Sequence, residues 1–267
     1  MTPTKTFEIG RHRPSGGGRT GCLRTIDVMK MSIFNNRHGV IPRRQVRTLP
    51  GHYGPSQATG TSDSRREAGM GQSRATSFNL RMLHWNAGVR NKKLELQVLL
   101  KDRNIDVCCI QETHLNSSHR FSIRGYETFR RDRTNKPKGG ILTLVKNTHA
   151  AAEIYRSEDE DTEVLGIKLL LDKNPLTIYN LYSPPNKQLR PQVFQPDTDR
   201  WIIMVDFNSH SRSWGCDDLD HKGDEVEDWI IAHTMVLINT ADDSPTFYFR
   251  AWRTTSCPDL AIAIPMM

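Results

Sequence analysis

At 267 residues the chain has room for one large domain and a tail, but not for two full-sized enzymatic domains. The formal charge of +7 suits an anionic partner, yet about 13 Lys or Arg against about 4 acids fall in residues 1–75, so the basicity belongs to that stretch and the remainder is close to neutral. No segment approaches the roughly 18 uninterrupted apolar residues of a membrane span, and the first 30 residues lack the apolar block of a secretory signal. The five cysteines, Cys22, Cys108, Cys109, Cys216 and Cys257, form no disulfide framework. These observations exclude a secreted disulfide scaffold and point to a reduced, intracellular, nonmembrane protein.

Residues 1–75 are rich in Gly, Ser, Thr and Arg, contain Ser15-Gly16-Gly17-Gly18, and show no sustained period of 2 or 3.6. A largely disordered basic tail is expected there. Arg43-Arg44 and Arg65-Arg66 fit a nucleic-acid tether or a localisation signal, although basic pairs this short are common in solvated tails.

From residue 76 onward short apolar runs alternate with turns, which marks the domain. Leu80 to Trp85 reads as a strand, Lys92 to Lys101 as an amphipathic helix with Leu94, Val98 and Leu99 on one face, and Asp106 to Ile110 as a buried strand. A strand at Tyr126 to Arg130 follows, then a Gly139-Gly140 turn into Ile141 to Val145, then Val164 to Leu171 and Leu176 to Tyr182. Trp201 to Val205 is a strongly apolar strand. Asp224 to Thr234 can form a helix burying Val226, Trp229, Ile230 and His233 or its neighbours, and Leu237-Ile238 and Leu260 to Ile264 supply late strands. The predicted class is an α/β sandwich, with two mixed sheets face to face, helices outside and polar residues on the loops of one rim.

Four polar motifs end these apolar runs: His84-Trp85-Asn86-Ala87, Gln111-Glu112-Thr113, Asp206-Phe207-Asn208-Ser209-His210 and Ser256-Cys257-Pro258-Asp259-Leu260. Residues at strand ends share a cleft, so one phosphodiester-cleaving site is the economical explanation. Glu112 emerges from Asp-Val-Cys-Cys-Ile-Gln and is a natural ligand for a hard cation such as Mg²⁺, although an isolated Glu is more often a helix-terminal acid or a surface ion pair. Asp206 and Asn208, two apart, face the same side of an extended segment. The first can orient and deprotonate a water, and the second can donate to a phosphate oxygen; an Asx turn is the local alternative. Asn86 offers a neutral amide for a carboxylate or a phosphate, against a plain turn Asn before Ala-Gly. Tyr182 can project its phenol toward phosphate charge, against ordinary packing at the edge of a core. Asp259 precedes Leu-Ala-Ile-Ala, so its charge calls for a partner, an imidazole being the natural one; His210, His221 and His233 are candidates by inventory. No Cys-x-x-Cys, compact Cys/His set, Walker-type or dinucleotide-binding pattern occurs.

These residues, in this order, resemble the endonuclease/exonuclease/phosphatase family, which includes DNase I-like nucleases, and above all the endonuclease domains of jockey-type non-LTR retrotransposons. The resemblance runs from about Leu80 to Ile264 and is carried by Asn180-Leu-Tyr-Ser-Pro-Pro, Asp206-Phe-Asn-Ser-His-Ser-Arg-Ser-Trp-Gly and Ala251-Trp-Arg-Thr-Thr-Ser-Cys-Pro-Asp-Leu. It implies a four-layer α/β/β/α sandwich and Mg²⁺- or Mn²⁺-dependent hydrolysis of DNA phosphodiesters. It also implies a nuclear setting and a reverse transcriptase domain in the intact element. By the same resemblance Glu112 binds the metal with support from Asn86, Asp206 positions the nucleophilic water, Asn208 and Tyr182 contact the scissile phosphate, and Asp259 orients a histidine.

The family takes that histidine from a Ser-Asp-His motif one strand beyond Asp259, and no Ser-Asp-His occurs here, so the domain of residues 76–267 is expected to lack its last strand. Val205 stands where the family usually has Gly, and residues 186–200 are proline-interrupted where a longer helix is common. A catalytically silent nucleic-acid-binding remnant is the alternative expectation, and an inositol-phosphate or phospholipid substrate is the third.

Overall fold

The computed structural model describes residues 5–9, 24–30, 78–133, 138–159, 161–171, 175–190, 200–243, 245–249 and 254–264. The chain divides into two units, Met1–Phe34 with Thr76–Met267 and Asn35–Ala75, of which only the first contains described residues.

In this unit the strands are β1 (Lys5–Ile9), β2 (Arg24–Lys30), β3 (Phe78–Asn86), β4 (Val107–Gln111), β5 (Tyr126–Arg131), β6 (Ile141–Lys146), β7 (Ala150–Arg156), β8 (Glu163–Leu170), β9 (Leu176–Tyr182), β10 (Trp201–Asp206), β11 (Val236–Leu237), β12 (Phe247–Phe249), β13 (Thr254–Ser256) and β14 (Asp259–Ala263). The α-helices are α1 (Lys93–Asp102) and α2 (His221–Ala232). One sheet has the order β1-β2-β3-β4-β6-β5 and the other β11-β14-β10-β9-β8-β7, both mixed, and β12 and β13 form a separate hairpin.

The side-chain alternation of the strands assigns three apolar layers. Leu80, Met82, Val107 and Cys109 from the first sheet meet Ile167, Ile178, Ile202, Met204 and Ala261 from the second between the two sheets. Leu83, Trp85, Cys108 and Ile110 point the other way, onto Leu96 and Leu100 of α1. Ile203, Val205, Leu260 and Ile262 point outward from the second sheet onto Val226, Trp229 and Ile230 of α2. The result is the expected α/β/β/α sandwich.

Three expectations differ from what is found. Leu94 and Val98 are 78% and 57% exposed, and α1 docks through Leu96 and Leu100 instead. Two i, i+4 apolar pairs compete on this helix, and Leu96, Leu99 and Leu100 form the tighter stripe, continuous with Val89 and Ile105. On α2, Val226, Trp229 and Ile230 are buried as expected, whereas His233 is exposed. Within residues 1–75, Lys5–Ile9 and Arg24–Lys30 are strands, β2 running parallel to β3 with Ile26 registered on Leu80. The Ile-Asp-Val sequence there satisfies backbone pairing without any long periodic pattern. The rest of 1–75, with its arginine pairs, lies outside the described residues, as do 191–199 and 251–253.

Candidate phosphodiesterase site

Register brings the polar strand ends together. On the second sheet Asp206 is flanked by Tyr182 on parallel β9 and by Asp259 on antiparallel β14, so three of the expected residues form one cross-strand row. On the first sheet Asn86 is registered on Gln111, and Glu112 follows directly. The two rims are joined by hydrogen bonds. Tyr182 Oη donates to Glu112 Oε1 at 3.0 Å, and Asn86 Nδ2 donates to Glu112 Oε1 at 3.4 Å and to Asp206 Oδ2.

Glu112 is held at the mouth by its backbone, with φ of 50°, a conformation an L-residue rarely adopts without surrounding constraint. The constraint is visible: Ala87 N donates to Gln111 O at 3.0 Å, and Thr113 N donates to Gly140 O at 3.0 Å. Gly140 has φ of 84°, and a Cβ there would lie 2.6 Å from Thr113 Oγ1, so this turn requires glycine. His114 Nε2 lies 3.5 Å from Glu112 Oε2 and was not anticipated from sequence.

Asn208 does not continue an extended strand as expected. Its φ is 50°, and Asp206 Oδ1 accepts its backbone N–H at 2.8 Å, so the segment closes as an Asx turn. The turn sends Asn208 Nδ2 to the carbonyl of Ser183, 3.1 Å away. The local turn therefore fixes the amide at the rim rather than competing with a role there.

Asp206 is fully buried, and its carboxyl is pushed well above the usual carboxylate range. Burial is the main cause, with Asp259 and Glu112 adding repulsion; the Asn208 N–H and the Asn86 amide pull in the opposite direction. Burial and Glu112 push the Tyr182 phenol up as well, which keeps it a donor at neutral pH.

None of the three histidines considered from sequence pairs with Asp259. His210 Nδ1 lies 2.8 Å from Asp220 Oδ2, His221 Nδ1 3.4 Å from Glu225 Oε1, and His233 Nδ1 2.9 Å from the Trp229 carbonyl. The imidazole beside Asp259 is that of His84, with Nε2 3.8 Å from Asp259 Oδ1 and 2.8 Å from Gln111 Oε1. Gln111 Nε2 in turn donates to Asn180 Oδ1 at 2.8 Å, so this polar network crosses from one sheet to the other. The signal was period 2: His84 lies two before Asn86 on the face that buries Leu80 and Met82 between the sheets.

The donor set suits a hard cation, because the carboxylates of Glu112 and Asp206 offer oxygen at one rim and the Asn86 amide bridges them. Among the described residues no group of three or more His, Cys, Asp or Glu is arranged to hold a metal. A cation held by one or two carboxylates and otherwise by water fits this site, which is the usual habit of Mg²⁺. Among the described residues no helix is long and apolar enough to cross a membrane.

Comparison with known proteins agrees with this architecture. The family model described as "Endonuclease-reverse transcriptase" matches residues 176–266. A probable RNA-directed DNA polymerase from transposon X-element of Drosophila melanogaster is 24% identical over 175 residues, which are 62% of this chain and 18% of that protein. The chain thus spans less than a fifth of that relative's length. Among solved structures, the endonuclease domain of TRAS1, a telomere-specific non-LTR retrotransposon, aligns over 68% of this chain and 83% of its own, with TM-score 0.54 and 18% identity. The 3′-5′ exonuclease NExo from Neisseria meningitidis aligns over 70% and 87%, with TM-score 0.51 and 12% identity, and shares the fold. The chain is thus similar to endonuclease/exonuclease/phosphatase proteins, and among them to the endonuclease domain of a non-LTR retrotransposon.

Proposed function

We propose that this domain is a divalent-metal-dependent endonuclease that hydrolyses phosphodiesters in DNA, and that its natural context is a non-LTR retrotransposon whose reverse transcriptase acts in the nucleus on the nicked target. The observation that carries this reading is the hydrogen-bonded chain Tyr182–Glu112–Asn86–Asp206, which joins the rims of both sheets around two carboxylates. Glu112, with Asn86 beside it, would hold Mg²⁺ or Mn²⁺, which when bound would neutralise charge on the phosphate. Asp206 has a raised proton affinity and so accepts a proton from an attacking water more readily than an exposed carboxylate does. Asn208 would donate an amide N–H to a phosphate oxygen and Tyr182 would turn its one O–H from Glu112 to another, neither group repelling them. Asp259 would orient a histidine, that of His84, whose Nε2 also meets Gln111 Oε1 within the sandwich.

One observation favours a second reading, a domain that binds DNA without turning it over. The imidazole beside Asp259 is buried, so it does not reach a phosphate at the cleft. Incubating the purified chain with supercoiled plasmid separates the two readings. The nuclease reading expects relaxed circles with Mg²⁺, none with EDTA, and a rate lower by about 10² to 10³ for Glu112→Ala. Retarded plasmid that stays supercoiled supports the second reading. Turnover of an inositol phosphate or phospholipid, with DNA left intact, would replace both.

A further inference from the structure

Lys222, in the first turn of α2, is a buried lysine that the chemistry above does not use. An ammonium out of water is costly unless its donors are satisfied. Its Nζ donates to Ser183 Oγ at 2.8 Å, to the Pro184 carbonyl at 2.8 Å and to the Ser183 carbonyl at 3.4 Å. The Ser183 carbonyl is the group that also accepts from Asn208 Nδ2 at 3.1 Å. A lysine and the amide at the rim therefore share one acceptor.

The rest of the turn faces the second loop of the site. Asp220 Oδ1 accepts the Gly223 N–H at 2.6 Å and caps α2, while Asp220 Oδ2 accepts the His210 N–H at 3.1 Å. A Cβ on Gly223 would fall 1.9 Å from the His210 carbonyl, so the helix backbone lies directly against the loop after β10. One helical turn thus holds both the Ser183-Pro184 segment after β9 and the Asn208–His210 segment after β10. Burial pulls the Lys222 ammonium down to about 8, against the opposing pull of Asp206, Asp220 and Glu225, with Asp206 foremost.

We propose that Lys222 is a positioning residue of this site: by fixing the Ser183 carbonyl it sets the Asn208 amide, so that one N–H is committed to Ser183 and the other is presented to an anionic phosphate oxygen. The identity of that oxygen rests on the nuclease reading, whereas the positioning does not. Lys222→Met keeps the length of the side chain and removes the ammonium, and Lys222→Arg restores a cation.

The experiment uses the full chain and two readouts. The first is the side-chain amide resonance of Asn208, assigned by its loss in Asn208→Ala, which needs no activity. It moves in Lys222→Met and returns toward the wild-type position in Lys222→Arg. The second is plasmid nicking, where Lys222→Met lowers kcat about tenfold with KM unchanged within about twofold, as expected for one positioned hydrogen bond. The double variant Lys222→Met/Asn208→Ala is then no slower than Asn208→Ala alone, because the two act as one unit. An Asn208 resonance unmoved in folded Lys222→Met, or a double variant that loses the product of the single effects, overturns the proposal. A wild-type chain that does not nick defeats the nuclease reading and leaves the resonance to decide this one. Should Lys222→Met fail to melt cooperatively, Ser183→Ala removes the same 2.8 Å contact from the other side and takes its place, with the same two outcomes.

Discussion

Two carboxylates in this domain, Glu163 and Asp206, are both 0% exposed, and their surroundings could hardly differ more. Glu163, at the start of β8, lies 2.5 Å from Arg133 Nη2 and 3.9 Å from Arg131 Nη1, and accepts the Gly140 N–H at 2.8 Å. Asp206 is registered on Asp259, near Glu112, and accepts hydrogen bonds from the Asn86 side-chain amide and the Asn208 N–H. Burial raises the proton affinity of both; Arg133 and Arg131 pull Glu163 back, whereas Asp259 pushes Asp206 further. The fold thus sets guanidiniums against a buried carboxylate where it holds a turn together, and sets a second acid beside the one at the rim.

The largest test of this contrast is Asp206→Asn. Loss of the proton-accepting group should lower plasmid nicking by about 10² to 10⁴. Glu163→Ala comes next and acts on stability: two guanidiniums lose their anion and Gly140 N–H its acceptor, so urea unfolding should show a loss of about 3 to 5 kcal/mol. Equal stability of Glu163→Ala and wild type would remove the distinction between the two acids.

Asp206→Asn should also make the protein more stable at neutral pH, by about 1 to 2 kcal/mol, because it removes a buried charge. The sign with pH follows from linkage. A carboxyl with raised folded pKa holds its proton more tightly folded than unfolded, so its stabilising contribution is complete below the ordinary carboxylate range of about 4 and is lost as pH rises through the folded value. The melting advantage of Asp206→Asn over wild type should therefore grow from pH 4 upward; an advantage that shrinks with rising pH would contradict the assignment. The smallest effect is expected from Val98→Lys on the exposed face of α1, within about 0.5 kcal/mol of wild type by urea unfolding. A loss of several kcal/mol would mean that the apolar face expected from sequence is the packed one after all.

What was legible in the sequence follows from how local the signal is. Apolar runs closed by a polar residue mark β3, β4, β9 and β10, an apolar run opened by one marks β14, and these ends supply every residue of the site row. Which strand ends become neighbours depends on register between distant segments. The pairing of Asp206 with both Tyr182 and Asp259 could therefore only be expected through the family resemblance. The His84 motif reads from sequence for its Asn86, and nothing local separates a His two residues earlier on the same strand face from a core-edge residue. Glu163 reads from sequence as the start of an ordinary strand, since its partners arrive 30 residues upstream. On α1 two apolar pairs fit a helix equally well, and only packing against the first sheet chooses between them. Val205, which stands where the family usually has Gly, is a buried strand residue registered on Leu181 and Leu260.

The claim that the joined rims form a cation site is tested most directly by thermal unfolding across a Mg²⁺ titration. Binding to the folded state alone raises the melting temperature in proportion to RT ln(1 + [L]/Kd). The account predicts a Mg²⁺-dependent rise for the wild type, kept in Glu163→Gln and abolished in Glu112→Ala. A rise of the same size in Glu112→Ala, or no rise in the wild type at any Mg²⁺ concentration, would contradict it.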